Sequence, residues 1–370
     1  MYVARLATAL KQRADVTLFG MGGPQMRAAG VETVVDYAEV SVVGITEVLK
    51  RLPSLRQAMA RLVDEAHRRR PPLAILTDFP GFHLRLARKL FPMGIRNIYY
   101  ICPQFWAWRP WRANLVRRRF ALALCIFQFE EQFYRDAGVT VRFIGHPLVG
   151  NVRASMPTAE FCKQYQLDPS KPIVTILPGS RRGEIGYHGP VLGEAVAQLK
   201  ASVPNIQVVV AVAPGVQRTE LEGSFSASPV KFVAGATYDA LAAADLAIVS
   251  SGTATVEAAL LGKPMIVIYK LSPMTARLAK PLVRTKFFSM VNLIAGRDVV
   301  PELIQDDFTS DRVVAEATSL LGASKESVEK LKKMRRELVE VTQLLGPPGA
   351  VDRAVDAIVV QLRLAQSNAK

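Results

Sequence analysis

Four short stretches of this chain combine residue types and spacing that suit chemistry on a phosphorylated substrate. The first is Ser250-Ser-Gly-Thr-Ala-Thr-Val-Glu257, a run of small residues between an apolar strand pattern and a helical one. Exposed N–H groups at such a helix start attract phosphate oxygens, and residues without bulk let a diphosphate approach the backbone. Glu257, further along that helix, can accept from both hydroxyls of a ribose. The competing reading is an ordinary tight turn with Ser251 as N-cap and Glu257 on the surface. The second stretch, Leu177-Pro-Gly-Ser-Arg-Arg-Gly-Glu184, again follows a strand and sets Gly179, Ser180 and Arg181 together. A guanidinium suits a departing diphosphate because its planar fork bonds two oxygens and stays charged at every working pH, although a solvated basic loop has the same composition. The third, Leu76-Thr-Asp-Phe-Pro-Gly-Phe-His83, puts Asp78 directly after a strand, where a carboxylate can take a proton from a nucleophilic hydroxyl. Taken alone, Asp ahead of a proline turn reads better as a helix cap. His146, in Gly-His-Pro, reads as structural.

The fourth stretch is Cys102-Pro-Gln-Phe-Trp-Ala-Trp-Arg-Pro-Trp-Arg112, in which Trp106, Trp108 and Trp111 interleave with Arg109 and Arg112. Arg117, Arg118 and Arg119 follow, and further basic runs lie at Lys50-Arg51, His67-Arg-Arg-Arg70 and Arg85 to Lys89. Two readings compete: stacking on nucleic acid with phosphate neutralisation, or an interfacial patch on anionic lipid headgroups.

The elements that must hold these residues alternate. Val3, Leu6 and Leu10 recur at helical spacing, and DVTLFG then reads as a strand running into the turn Gly20-Met-Gly-Gly-Pro24. Next come a helix at 54–68, a strand at 73–76, a helix at 82–91, strands at 97–101 and 121–127, a helix at 129–136 and a strand at 141–145. Prolines at 147, 157, 169 and 172 interrupt the pattern, and a domain boundary is expected there. The second half repeats the alternation, with strands at 173–179, 206–212, 230–234, 246–250 and 264–269 and helices at 187–200, 237–243 and 254–261. Strands alternating with helices imply parallel sheets covered on both faces, and ligands of such sheets bind outside the carboxyl ends of the strands. The expected fold class is α/β, two doubly wound Rossmann-like domains facing a cleft. The expected division is residues 1–147, 148–345, and a closing amphipathic helix within 346–370 that packs on one of the two.

Composition narrows the class. The 370 residues carry a net charge of +15, with 50% hydrophobic and 21% charged residues, which is the composition of a folded globule and excludes wholesale disorder. The least interrupted apolar stretch, Ala201 to Gln217, contains Pro204, Asn205 and Pro214, so no spanning helix is expected. Cys102, Cys125 and Cys162 are odd in number and widely spaced, which suits a reducing compartment. The opening residues lack the pattern of a signal peptide, and the cytoplasm is the expected location. No Asp-x-Asp pair, His/Cys cluster or glycine-lysine phosphate loop is present, so no metal or cofactor is expected.

Taken in order, GMGGPQMRAAGVE, SVVGITEVLKRL, the Asp-Phe-Pro-Gly-Phe turn, YYICPQFWAWR, RFIGHPL, ILPGSRRGEI, SSGTATVEAALLGKPMIVIYK and SMVNLIAGRDVVPELIQ resemble the lipid-A-disaccharide synthase family. The resemblance implies a GT-B glycosyltransferase with no metal requirement, peripheral on the inner membrane. Its implied reaction condenses UDP-2,3-diacylglucosamine with 2,3-diacylglucosamine 1-phosphate into a β-1,6 disaccharide and releases UDP. Position by position, the family's essential aspartate falls on Asp78, its Pro-Gly-Ser-Arg arginine on Arg181, its nucleotide-contacting glutamate on Glu257, and its Asn-Leu-x-Ala-Gly-Arg stretch on Asn292 and Arg297. Gly252 and Thr253 would then cradle the diphosphate. With lipid substrates, the tryptophan and arginine patch is expected on an anionic membrane surface rather than on nucleic acid, and a homodimer is the assembly entertained. The chain departs from the family at Gly81 and His83, where an aspartate and an asparagine are usual. It departs again at the start, where a first strand and a Gly-Glu-x-Ser-Gly-Asp loop normally precede the first helix. A start upstream of Met1, or a shortened form, is the expectation. Two other functions share the pattern: a UDP-sugar epimerase of the same architecture, and a relative that binds lipid or nucleotide without turnover.

Overall fold

In the computed structural model, which describes residues 2–40, 52–279 and 285–367, the chain divides into two compact units. One comprises Met1–Val149 with Leu345–Lys370, the other Gly150–Leu344. The stretch 41–51, which holds most of the SVVGITEVLKRL motif and the Lys50-Arg51 run, lies outside the described residues.

The Gly150–Leu344 unit is built on a six-stranded parallel sheet in the order β12-β11-β10-β7-β8-β9. These strands are β7 (Ile173–Leu177), β8 (Gln207–Val212), β9 (Lys231–Ala234), β10 (Leu246–Ser250), β11 (Met265–Tyr269) and β12 (Glu302–Ile304). All five residues of β7 and of β10 are buried, which is why each reads as an unbroken apolar run rather than an alternating one. The chain builds outward from β7 to β9, then returns to β10 beside β7 and builds the other way. The strand order therefore reverses between β7 and β10, the place where open α/β sheets bind ligands.

The helix expected at 187–200 begins five residues earlier, as Arg182–Ser202, and carries Pro190 within it. Its glycines obscured the pattern, and packing explains two of them. A Cβ on Gly193 would stand 1.7 Å from the Ser224 carbonyl oxygen, and one on Gly189 would stand 2.3 Å from the Ser224 hydroxyl. Close approach of a neighbouring segment, invisible in local propensity, requires both.

The other unit departs from a single doubly wound sheet. Its parallel strands form a four-stranded sheet, β3 (Leu73–Thr77), β4 (Arg96–Tyr100), β5 (Leu122–Cys125) and β6 (Val141–Phe143), and a separate pair, β1 (Phe19–Gly22) and β2 (Glu32–Asp36). Strand β1 lies later than expected, on Phe-Gly-Met-Gly itself, because pairing with β2 holds the glycines extended. Strand β2 was not anticipated.

A cavity of about 1130 Å³ separates β1 from β3. Residues of both strands line it, with Leu6 and Leu10 from the helix Tyr2–Arg13 and Ile358 and Leu362 from the closing helix. Burial follows the same division. Four of the five residues in β4 and all four in β5 are buried, whereas Phe19, Leu73, Ala74 and Ile75, on either side of the cavity, are only half-buried. Among the described residues, the facing edges of β1 and β3 have no strand partner.

The closing helix, Ala350–Ser367, packs in this same unit. Arg13 pairs with Asp352 and Asp356, Arg96 donates to Gln361, and the Arg353 guanidinium donates to the carbonyls of Ile144, Pro347 and Pro348.

Candidate active site

Because β7 and β10 are hydrogen-bonded neighbours, with Leu177 in register with Val249, the two turns singled out in the sequence leave the same edge of the sheet side by side. In the first, Gly179 adopts φ +126°, and a Cβ there would meet the Glu184 carboxylate at 2.7 Å. Glu184 is buried and braces the turn: its carboxylate accepts from the Ser180 N–H at 3.0 Å and from the Arg181 guanidinium at 2.8 Å. Arg181 is the N-cap of the helix Arg182–Ser202, so Glu184 occupies its third helical position, where an acidic side chain turns back on the helix start. That spacing is legible in the sequence alone. The Arg181 side chain remains 68% exposed, free to meet an anion from solvent.

In the second turn Gly252, with φ +143°, is the N-cap of the helix Thr253–Leu260. Ser251 does not cap the helix, as the alternative reading supposed. Its hydroxyl donates to the Phe288 carbonyl at 2.8 Å. No side chain caps this helix, and Gly252 and Thr253 are exposed, so the backbone N–H groups at its very start are open to solvent, while that of Thr255 turns to the Gly252 carbonyl. The Ser250 hydroxyl beneath is buried without a hydrogen-bond partner. Glu257 is half-buried; one carboxylate oxygen accepts from the Tyr238 hydroxyl at 3.1 Å. Burial raises its pKa above the usual carboxylate value, and the Tyr238 bond partly offsets that.

Asn292 stands inside the unit rather than at its surface, and Arg297 is half-exposed. Asn292 is completely buried and uses its whole bonding capacity inside the unit. Its Nδ2 donates to the Val300 carbonyl and to Glu302, and its Oδ1 accepts from the N–H groups of Val299 and Val300. Glu302 also accepts from the N–H groups of Phe288 and Ser289, and the Phe288 carbonyl holds Ser251. Asn292 is therefore linked to the Ser251 turn through Glu302 and Phe288. Arg297 pairs with Glu337 and Glu340 on the helix Lys325–Gln343, which raises its pKa.

In the other unit, Asp78 directly follows β3 and is exposed. It is not a helix cap, since Phe79 holds the N-cap position of the helix Pro80–Leu90. Asp78 and Phe79 adopt φ +54° and +39°, two successive non-glycine residues in the left-handed region, where each costs about 1 to 2 kcal/mol. The surroundings impose this geometry. The Asp78 carbonyl accepts from the Tyr99 hydroxyl at 3.1 Å and from His83 Nδ1 at 2.9 Å. His83 is buried, and its loss of hydration lowers its pKa, so the neutral ring donates through Nδ1. His83 thus holds the Asp78 backbone. The Asp78 carboxylate makes no hydrogen bond among the described residues.

The tryptophan patch divides three ways. Trp106 turns inward, its indole N–H donating to the fully buried Glu130 carboxyl at 3.0 Å, and its ring packs edge-on against Phe129. Burial pushes Glu130 up to about 8, with the Trp106 bond and the Phe127 and Ile126 backbone as smaller opposing effects. Trp108 is half-buried beneath Arg109 and Arg112, at 4.7 and 5.3 Å from its ring. Trp111 alone is well exposed, at 60%. Arg112 lies 5.5 Å from its ring; burial lowers the Arg112 pKa, with Arg109 and Arg85 adding to it, and Arg88 adds in the same way to the burial of Arg119, while Phe91 and Met93, after the helix that carries Arg85 and Arg88, are exposed.

Among the described residues no group of three or more His, Cys, Asp or Glu side chains gathers as a metal site, and no helix is long and apolar enough to cross a membrane. The three cysteines are free and buried.

The family profile described as lipid-A-disaccharide synthetase matches residues 1–345. A lipid-A-disaccharide synthase from Solibacter usitatus is 43% identical over 346 residues, covering 93% of this chain and 89% of that protein. Among solved structures, a UDP-GlcNAc 2-epimerase from Neisseria meningitidis, bound to UDP-GlcNAc, is similar with a TM-score of 0.57 at 12% identity, covering 97% of this chain and 95% of that one. The calicheamicin glycosyltransferase CalG4 is similar with a TM-score of 0.56 at 16% identity, covering 97% and 94%. At these identities the structural likeness shows the fold, which glycosyltransferases and epimerases of GT-B type share.

Proposed function

Because the chain belongs to the lipid-A-disaccharide synthetase family of glycosyltransferases, we propose that it moves a 2,3-diacylglucosaminyl group from UDP to the 6-hydroxyl of 2,3-diacylglucosamine 1-phosphate. The observation that carries this reading is the pairing of β7 with β10 at the point of strand-order reversal, which sets Arg181 and the uncapped N–H groups at Gly252 and Thr253 on adjacent turns. Charge that develops on the departing diphosphate is stabilised there by a fixed guanidinium and oriented backbone dipoles. Glu257, with one carboxylate oxygen already bonded to Tyr238, offers the other to ribose hydroxyls.

Asp78 is the proposed general base. An exposed carboxylate on a backbone held at two bonds removes the proton of the 6-hydroxyl as it attacks, and single displacement from the face opposite UDP inverts the anomeric centre. The proposed reaction needs no metal, since Arg181 and the helix start meet the diphosphate charge. In the proposed setting Trp111, Arg85, Arg88 and Arg112 rest on the anionic inner-membrane surface, where both substrates keep their acyl chains.

The test is incubation of the chain with UDP-2,3-diacylglucosamine and 2,3-diacylglucosamine 1-phosphate, following UDP and disaccharide with and without EDTA. Asp78→Ala should lower turnover by about 10²- to 10⁴-fold, the range for removing a general base. Undiminished product from that variant refutes Asp78 as base. Conversion of UDP-GlcNAc alone would instead favour an epimerase.

A further inference from the structure

The sequence patterns assign no role to His188, which lies six residues into the helix Arg182–Ser202 and is completely buried. Its two ring nitrogens reach two different strand ends. Nδ1 lies 2.7 Å from the Pro178 carbonyl oxygen, in the turn after β7, and the Lys270 backbone N–H, just past β11, donates to Nε2 at 2.9 Å. The partners decide the tautomer: a carbonyl requires a donor at Nδ1, and an N–H requires an acceptor at Nε2. Only the neutral ring protonated at Nδ1 serves both. Edge contacts with Tyr269 and Phe308, at centroid distances of 5.9 and 5.5 Å, hold the ring plane, and burial lowers its pKa so that the neutral form persists.

The sheet order gives this bridge its meaning. Strand β10 lies between β7 and β11, so a side chain bonded past the ends of both outer strands spans the end of the middle one, where Ser251, Gly252 and Thr253 begin their turn. Resting on the donor-site reading above, we propose that His188 is a positioning residue for the diphosphate site, fixing the Pro178–Arg181 turn and the Lys270 backbone at set places on either side of the Ser251–Thr253 turn. Glu184 braces the Pro178–Arg181 turn from within, and His188 ties it to the rest of the sheet edge. The ring touches no substrate; it acts through the two backbone groups it holds.

The experiment is titration of UDP into the full chain and into three variants, alongside donor KM and kcat. His188→Phe keeps the ring volume and loses both bonds. His188→Asn retains a donor in the Nδ1 position, and His188→Gln retains an acceptor near the Nε2 position. The expected result is a UDP Kd and donor KM raised about tenfold in His188→Phe, with kcat at saturating donor within a few-fold of the parent chain and partial recovery in His188→Asn. A role in stability alone would lower Tm and leave UDP affinity of the folded protein unchanged, and that outcome overturns the inference. A fall in kcat with KM unchanged overturns it too. Should His188→Phe not fold, the other two carry the test, and parental UDP affinity in both refutes it. If the parent chain does not bind UDP, the donor-site reading fails and the inference falls with it; if the parent binds and His188→Phe binds equally, only the inference fails.

Discussion

His83 Nδ1 donates to the main-chain carbonyl of Asp78 across 2.9 Å, so the histidine grips the backbone of the proposed base and leaves its carboxylate free. Tyr99 reaches the same carbonyl from β4. Two donors on one oxygen stabilise a left-handed Asp78 that would otherwise relax.

His83→Leu should therefore lower kcat about tenfold through a misplaced carboxylate, with donor KM unchanged, and cost about 1 to 3 kcal/mol of stability. His83→Asn, which restores a donor, should recover most of both. Steady-state kinetics with urea unfolding checks this, and parental kcat in a folded His83→Leu would show that Asp78 needs no such support.

Asn292→Ala should be among the most damaging single changes in the Gly150–Leu344 unit. It leaves two N–H groups and a carbonyl without their buried partner, at about 1 to 3 kcal/mol for each unsatisfied group, and takes one of three donors from Glu302. The expected loss in urea unfolding exceeds about 3 kcal/mol, and a loss below about 1 kcal/mol would show that water replaces the amide.

Stability should vary with pH in two opposing ways. Glu130 is held protonated by burial up to about 8, against 4.5 when unfolded, so the unfolded chain releases its proton first. Its contribution therefore declines as pH rises from 4.5 to about 8, by about 1.4 kcal/mol per unit. His146, lowered by burial to about 4 against 6.5 unfolded, behaves oppositely: its contribution is complete above 6.5 and is lost as pH falls toward 4. Between 6.5 and 8 the Glu130 slope acts without that opposition. Glu130→Gln should flatten the decline there and stay more stable than the parent chain at pH 8; a parallel decline in the variant would place the titration elsewhere.

Membrane affinity should follow Trp111 and the arginines of the helix Pro80–Leu90 rather than Trp106. Arg85→Glu with Arg88→Glu should weaken binding to vesicles rich in anionic lipid by more than tenfold, from about 1 kcal/mol per basic residue, and Trp111→Ala should weaken it further. Unchanged vesicle binding in all three would move the interface to another face.

Among the described residues, the cavity between β1 and β3 has unpaired strand edges on two walls, which an apolar ligand cannot satisfy and an extended peptide can. The helix Tyr2–Arg13 lines the cavity and leads into β1. A valine- and isoleucine-rich strand fused by a short glycine linker ahead of Tyr2 should therefore join β1 to β3, raise Tm by several degrees and reduce dye binding to exposed apolar surface. An unchanged Tm would show that the cavity does not accept a strand.

The alternation of strands and helices was legible along most of the chain because parallel strands buried on both faces read as plain apolar runs: β7, β10 and β11 stand close to where periodicity put them. The Gly179 and Gly252 turns were equally readable, since positive φ and close backbone approach leave few residue types. Strand β2 was missed because Glu32, Thr33 and Asp36 give it no apolar run, and it forms only through pairing with β1.

By itself the sequence determined the α/β class, the kinship and the residue types at the two strand-end turns, because these rest on local spacing and local conformation. What each polar side chain faces was decided only by tertiary structure. Asn292 and Arg297 share one motif, yet the first is buried and fully bonded while the second pairs with Glu337 and Glu340, more than thirty residues later in the chain. His83 and His188 became positioning candidates only when folding set carbonyls and an N–H against their rings. The outcome for a polar side chain depends on the partner that replaces water, and residues distant in sequence supply that partner.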